Sequence, residues 1–428
     1  MPRIWVGALA ASSVSLLVAA ATFLVCTHIG VPAERATAPI KPPPPTPHWT
    51  GATLHQLLDA VNASRAEGLR PQDYRRDELA GALRTGGRVA TIDALATGSA
   101  HALAHDYADG RVTHRATRFD WHIPNSTAAL ATMDADIADA VNGGRLTAYL
   151  HGLLPQDRRY AALRAALDAT PDSEAARHDA IRASMERWRW MPRALGTNYI
   201  WVNVPSYRLA FYRGDRVAAI HDVVVGAPET PTPMLSATVG SIIVNPWWTL
   251  PPTVLREGKR YAPEKGYVYQ TIGGRIYVRQ RPGPMNALGR MKIDMPNAWA
   301  IYLHDTPAKS GFLRTDRALS HGCIRVKDIA TLATQLYDPA AIDGALQTYQ
   351  MKTLEMPTRL PVYIVYFTAA PDANGQIVTY GDPYARDPEL IAALNRDPTA
   401  SGTKKNTAIH DMMTPVAANR AINTADRL

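Results

Sequence analysis

Cysteine is nearly absent. In 428 residues there are two, Cys26 and Cys323, and Cys26 closes an apolar amino-terminal run. Cys323 is therefore the only thiol in whatever folds beyond that run, which excludes an internal disulfide there. No CxxC pair occurs, and the one set of ligand-type residues near the thiol, His304, His321 and Cys323, lacks a fourth member. Neither a metal nor a cofactor is expected. After the amino terminus no second long uncharged run follows, so at most one membrane span is expected. There is no basic cluster interleaved with aromatics. The formal charge of +8 thus suits an anionic surface and makes no specific case for nucleic acid. Internal repeats are missing as well.

What is present begins with Arg3 and the stretch Ile4–Val25, uncharged for 22 residues. That is long enough to cross a bilayer core of ~30 Å as one helix, and longer than the roughly 7–15 residues of a signal-peptide core. Residues 1–27 are expected to form a signal anchor, with the amino terminus inside and the rest of the chain outside. Val25 stands where a lipoprotein signal carries a small residue, so lipidation of Cys26 is not expected. Residues 28–49 contain "APIKPPPPTPHW", a stiff, extended linker. Outside the cytoplasm structural cysteines normally pair. An unpaired Cys323 asks for a chemical reason.

Residues 50–193 read as a helical domain. Leu54, Leu57, Leu58 and Val61 recur at i, i+3, i+4, i+7, and Gly68 can stop that helix. "TAALATMDADIADAVNGG" and "HDAIRASMERWRWMP" repeat the pattern, the latter closed before Pro192. After Gly196 the period changes to two. "NYIWVNVPSYRLAFYRGDRVAAIHDVVVG" alternates, with a hairpin turn at Arg213-Gly214-Asp215. "GSIIVNPWW", "GGRIYVRQ" and "AWAIYLH" continue as strands, and "PPTVLREGKRYAPEKGY" reads as a loop or lid. "KDIATLATQLYD" predicts a short helix capped by Asp328. The expectation is an α+β chain: a helical domain, then a mainly-β domain over 194–347, a strand extension packed on its core over 348–386, and a poorly ordered tail over 387–428.

A cysteine attacks carbonyls as thiolate, and a nearby histidine or positive charge lowers its pKa. His321 shares a face with Cys323 if that stretch is extended. In "AWAIYLH", alternation places Ala300, Tyr302 and His304 on one face and Trp299, Ile301 and Leu303 on the core side, leaving His304 towards a cleft. Arg325 lies on the Cys323 face and can supply positive potential or bind a carboxylate. Gly322 permits a tight turn, and the Cys323 N–H behind it can hold an oxyanion, worth ~3–4 kcal/mol of barrier.

His304, fifteen intervening residues and Ser320-His321-Gly322-Cys323 resemble the H-x(14–17)-[ST]-H-G-C signature of the L,D-transpeptidases, the YkuD-type cell-wall enzymes. "ERWRWMPR", "NPWWTLPP", "RPGPMNALG" and "YLHDTPAKS" resemble the larger, scaffolded branch. The resemblance implies a YkuD-like catalytic domain in which Cys323 forms a thioester with a peptidoglycan stem peptide and a second stem's amine takes the acyl group. His304 would be the general base and acid. The carbonyl of Asp305 would orient it, and Ser320, His321 and Gly322 would shape the nucleophile turn and oxyanion hole. Arg325 and Tyr302 would touch substrate, and carbapenems would acylate Cys323. The partners implied are donor and acceptor stem peptides and the inner membrane; the place implied is its periplasmic face in a Gram-negative-type cell, or the periplasm itself if the amino-terminal signal is cleaved.

Two departures are visible. Only a short bridge joins the helical scaffold to "ERWRWMP", where the larger branch usually carries a peptidoglycan-binding module, and the lid segment is short. The donor can therefore be the usual one, giving 3–3 diaminopimelate links, or L-alanine, giving 1–3 links. Water as acceptor gives a carboxypeptidase or endopeptidase instead. A non-catalytic wall scaffold would not need the thiol or His304.

Overall fold

The structure is a computed structural model that describes residues 45–396, apart from 87–88, 126–127, 172 and 257. The apolar run at 4–25 and the chain beyond 396 lie outside the described residues. Among those described, no helix is long and apolar enough to cross a membrane.

The helical region consists of α1 (Gly51–Ala63), α2 (Arg76–Thr85), α3 (Val89–Asp109), α4 (Arg115–Phe119), α5 (Ala128–Asn142), α6 (Leu146–Leu153), α7 (Arg158–Ala169) and α8 (Ala175–Arg189). Thr50 and Thr53 close α1 with a reciprocal capping box. Its Leu54, Leu57 and Val61 are buried, as their spacing requires. Gly68, in the left-handed conformation at φ 73°, ends the following turn. Residues 170–174 alone join α7 to α8, so no further folded module is inserted there.

One element breaks the helical pattern: β1 (Trp121–His122) pairs in parallel with a later strand. Two residues carry no readable period, and only their sheet partner makes them a strand.

The remaining strands are β2 (Asn198–Asn203), β3 (Arg208–Arg213), β4 (Arg216–Gly226), β5 (Met234–Val244), β6 (Trp248–Thr249), β7 (Tyr267–Ile272), β8 (Arg275–Gln280), β9 (Met291–Asp294), β10 (Leu303–His304) and β11 (Ala318–Ser320). They are followed by β12 (Ile324–Val326), β13 (Lys352–Val365), β14 (Ala369–Pro371) and β15 (Ile377–Thr379). Short helices α9 (Pro252–Leu255), α10 (Ile329–Leu336), α11 (Pro339–Leu346) and α12 (Asp387–Leu394) intervene.

Strands β5, β13, β2, β3, β4, β12, β10 and β9 pair in that order, and β9 pairs again with β5, which closes the sheet on itself. Alternation then divides every strand into an inside and an outside. Ile200, Val202, Leu209, Val223, Ile242, Ile293, Leu303, Ile324, Val362 and Ile364 all point inward and are fully buried. The outward row of β2 is covered by α8: Trp188 stacks on Trp201 (5.6 Å, 18°), and Phe367 packs against both. Each such aromatic pair adds about 1 kcal/mol beyond the area it buries. The helical region is thereby joined to the barrel.

Four expectations are corrected. Residues 352–365 are no extension on the core, because β13 lies between β5 and β2 and is part of the closed sheet. Residues 387–394 are no loose tail: Leu390 and Leu394 of α12 are buried, and Asp387 pairs with Arg187 of α8 at 2.6 Å. The "PPTVLREGKRYAPEKGY" segment is not a bare loop. It holds α9 and leads into the β7–β8 hairpin, over a small core of Leu250, Val254, Tyr261 and Val278. Asp328 precedes α10 but makes no side-chain cap; it adopts φ 53° instead.

Candidate active site

β10 runs parallel to β12, with Leu303 opposite Ile324 and His304 opposite Arg325, and antiparallel to β9, with His304 opposite Lys292. Leu303, Ile324 and Ile293 point into the barrel. The alternate residues must therefore face outward together. Lys292, His304 and Arg325 form one row across the three strands, and Asp294, Tyr302 and Cys323 form the next. The primary sequence scatters these residues over 34 positions; the sheet sets them on one surface.

His304 is buried, and its Nδ1 lies 2.5 Å from the carbonyl oxygen of Asp305. A carbonyl only accepts, so Nδ1 carries the proton and Nε2 is left as the basic nitrogen. Asp305 is itself fixed: its N–H donates to Met291 O at 2.9 Å, and its carboxylate accepts the Arg290 N–H at 2.9 Å and pairs with Lys309. Gly289, at φ 61°, makes room for that carboxylate; a Cβ there would lie 2.3 Å from Asp305 Oδ2.

Burial, and then the Arg325 charge, push the His304 imidazole down from its ordinary value to about 3, against the opposing Asp305 hydrogen bond. The ring is therefore neutral at physiological pH. Unfolded chains take up this proton near pH ~6.5 and the folded chain does not, so this group's contribution to stability is complete above pH ~6.5 and is lost as pH falls towards 3. Its full size is on the order of 3–5 kcal/mol. An NMR titration should find the His304 ring unprotonated from pH 8 to 4; a midpoint near 6.5 would contradict this account of the site.

Cys323 is half-buried, and its thiol donates to Ala300 O at 3.6 Å. Burial pushes this thiol up from its ordinary value, and the hydrogen bonds from Tyr302 and the charges of Lys292 and Arg325 pull it back only in part. The resting pair is thus neutral thiol and neutral imidazole, not the lowered thiol that a neighbouring histidine suggests. Desolvation outweighs the two cations here.

The residues before the thiol form a tight turn. Ser320 Oγ donates to Cys323 O (2.6 Å) and accepts the Gly322 N–H (3.1 Å). Gly322 has φ 109°, a conformation that side chains rarely adopt. The stretch is therefore not extended, and His321 does not share a strand face with Cys323; it is exposed on the turn. Ala300 also departs from the strand pattern, at φ 53°, because Asn297 Oδ1 accepts the N–H groups of Trp299 and Ile301. Trp299 consequently points away from the core and packs at a tilt against His122 of β1 (4.4 Å between ring centroids, 37°). Ile301 and Leu303 are buried as expected.

Lys292 and Asp294 escaped sequence reading. Lys292 is buried, pairs with Asp294 at 3.0 Å and lies 4.4 Å from the Tyr302 ring centroid. A lysine in the short alternating run "MKID" was the available signal. The Arg325 guanidinium, largely buried, meets no carboxylate among the described residues. Nor do these hold any group of three His, Cys, Asp or Glu side chains suited to a metal ion.

A closed mixed barrel carrying a lone thiol beside a neutral imidazole, with a helical region packed on its outside, defines a two-part class of protein, and comparison with known families names both parts. Residues 197–364 match the YkuD family, the L,D-transpeptidase catalytic domain, and residues 45–167 match the Scaffold domain. The two matched regions follow one another along the chain, the Scaffold match first and the YkuD catalytic-domain match after it. A Haemophilus influenzae protein named "Putative L,D-transpeptidase" is 33% identical over 231 residues, covering 47% of this chain and 47% of that protein. The match thus spans about half of the relative's length. Among solved structures, Mycobacterium tuberculosis L,D-transpeptidase 1 is similar at 12% identity, covering 40% of this chain and 61% of that one, with a TM-score of 0.20. The catalytic domain of the Enterococcus faecium L,D-transpeptidase acylated by ertapenem is similar at 17% identity, covering 40% and 98%, with a TM-score of 0.20.

Proposed function

We propose that this chain cross-links peptidoglycan stem peptides as an L,D-transpeptidase, with Cys323 as nucleophile. The observation that carries the reading is the outward arrangement in which a neutral imidazole with a fixed tautomer on β10 and the only described thiol, at the turn that leads directly into the parallel strand β12, come onto one surface.

In the proposed reaction the Cys323 sulfur attacks the carbonyl of an L-residue that precedes a D-residue. Its proton passes to His304 Nε2 as the S–C bond forms, and the Cys323 N–H stabilises the oxyanion. Nothing among the described residues accepts that N–H, so it is available. Collapse of the tetrahedral adduct breaks the C–N bond, His304 returns the proton to the leaving amine, and a thioester remains. The amine of a second stem peptide then attacks, gives its proton to His304 and displaces the thiol. The positive charges of Lys292 and Arg325 favour the negative sulfur and oxygen that form transiently. Arg325, which meets no carboxylate among the described residues, is suited to a carboxylate of the stem peptide, and Tyr302 lines the same face. Carbapenem acylation of Cys323 follows from the same chemistry. The run at 4–25 would tether the enzyme to the inner membrane, with the catalytic domain on the periplasmic side.

Mass spectrometry of products made from defined tetrapeptide and pentapeptide stems tests the reading. Cross-linked dimers are expected, and fragmentation assigns them as 3–3 or 1–3. Shortened stems without dimers would make the chain a carboxypeptidase or endopeptidase, and unchanged stems would overturn an enzymatic role.

A further inference from the structure

The loop between β4 and β5 lies behind the Cys323 turn and holds it. Ala227 N–H and Thr230 Oγ1 both donate to Ser320 O, at 2.8 and 3.0 Å. Thr232 Oγ1 donates to Gly322 O at 2.7 Å and accepts the Gly226 N–H at 2.8 Å, so one buried hydroxyl is locked in both roles. The loop is tight enough to require glycine at 226, where a Cβ would lie 2.2 Å from Thr230 O. Gly322 C=O and Cys323 N–H belong to one planar trans peptide, so a bond that fixes the carbonyl also fixes the direction of the N–H. That N–H is the oxyanion donor of the proposed reaction.

The loop's other side is held by one side chain. Tyr384 Oη donates to Gly226 O at 2.7 Å and accepts the Thr232 N–H at 3.1 Å. Burial raises the phenol above its ordinary pKa, so its proton stays. Tyr384 lies beyond both matched regions, 45–167 and 197–364. Its ring stacks on Tyr366, 5.6 Å between centroids, and its N–H donates to Tyr366 Oη at 2.8 Å. The segment around it is tied to the helical region. Arg386 donates to Phe119 O (2.6 Å) and Asp120 (3.3 Å), and Arg118 pairs with Glu389 (2.9 Å).

We propose that Tyr384 is a positioning residue for acyl transfer: its hydroxyl aligns the 226–232 loop, and through Thr232 the Gly322–Cys323 peptide, and so transmits the helical region's hold on residues 382–394 to the oxyanion donor. This rests on the reading of Cys323 as the nucleophile. Positioning of this kind acts on kcat, because misplacement by about 1 Å costs up to ~10²-fold while substrate contacts are untouched.

The test uses the full chain with Tyr384→Phe, Thr232→Val and both together. Tyr384→Phe keeps the stacked ring and removes only the hydroxyl. It is expected to lower kcat for cross-linking roughly ten- to a hundredfold, with KM within about twofold and Tm nearly unchanged. The double variant should be no slower than Thr232→Val alone, since both act through one chain of bonds. Hydrogen exchange at the amides of residues 320–325 should quicken in each. A wild-type kcat in Tyr384→Phe, or losses that multiply in the double variant, overturns the proposal. If the wild-type chain makes no cross-links, the transferase reading fails, and hydrogen exchange decides this inference alone: exchange at the turn unaltered by Tyr384→Phe rejects it.

Discussion

Cross-link formation by Cys323→Ala is expected to fall by roughly a millionfold, below detection, because loss of the nucleophile from an acyl-transfer site removes the covalent route altogether. The fold should survive. The side chain is half-buried, its thiol makes only weak sulfur hydrogen bonds, to Ala300 O and with Tyr302, and alanine leaves the turn's backbone bonds in place. A stability cost of about 1 kcal/mol is the expected scale. Dimer yield from purified stems measures the first quantity and thermal unfolding by circular dichroism the second. A Cys323→Ala chain that still makes dimers would remove the thiol from the mechanism, whatever its Tm.

His304→Ala carries the second large effect, a fall of about 10²–10⁴ in acyl transfer, the range for loss of a positioned general base. The neutral resting pair makes a further demand. Since burial holds the thiol up and the imidazole down, Cys323 should alkylate slowly with iodoacetamide at pH 7 and quicken only above the ordinary thiol range, near pH ~8.5. His304→Ala should leave that alkylation profile nearly unmoved while transfer collapses. Proton transfer would then accompany attack rather than precede it. Fast alkylation at pH 6, lost in His304→Ala, would instead reveal a preformed thiolate–imidazolium pair.

The α+β order, the helices at Leu54–Val61 and "HDAIRASMERWRWMP", and the hairpin at Gly214 were legible because local period and turn chemistry dictate them. The signature from His304 to Cys323 was legible because both lie on short elements close in sequence. What escaped reading depends on partners far along the chain. β1 is a strand only through β5, and the place of β13 inside the barrel comes from register with β2 and β5. Trp299 leaves the core because Asn297 captures the neighbouring amides. Lys292 reaches the His304 row only through antiparallel pairing of β9 with β10. The thiol's raised pKa is likewise a property of burial, which no motif encodes. The helix at 387–394 looked like a polar tail because only Leu390 and Leu394 mark its buried side.

The central claim is that Cys323 carries the acyl group. Intact-mass measurement of the full chain mixed with a tetrapeptide stem, followed by peptide mapping, tests it most directly. The account predicts a transient adduct equal to the stem minus its leaving D-residue or D-peptide, located on the peptide that contains Cys323 and absent in Cys323→Ala. Product formation with an adduct on another residue, or with none under rapid quench, would contradict it.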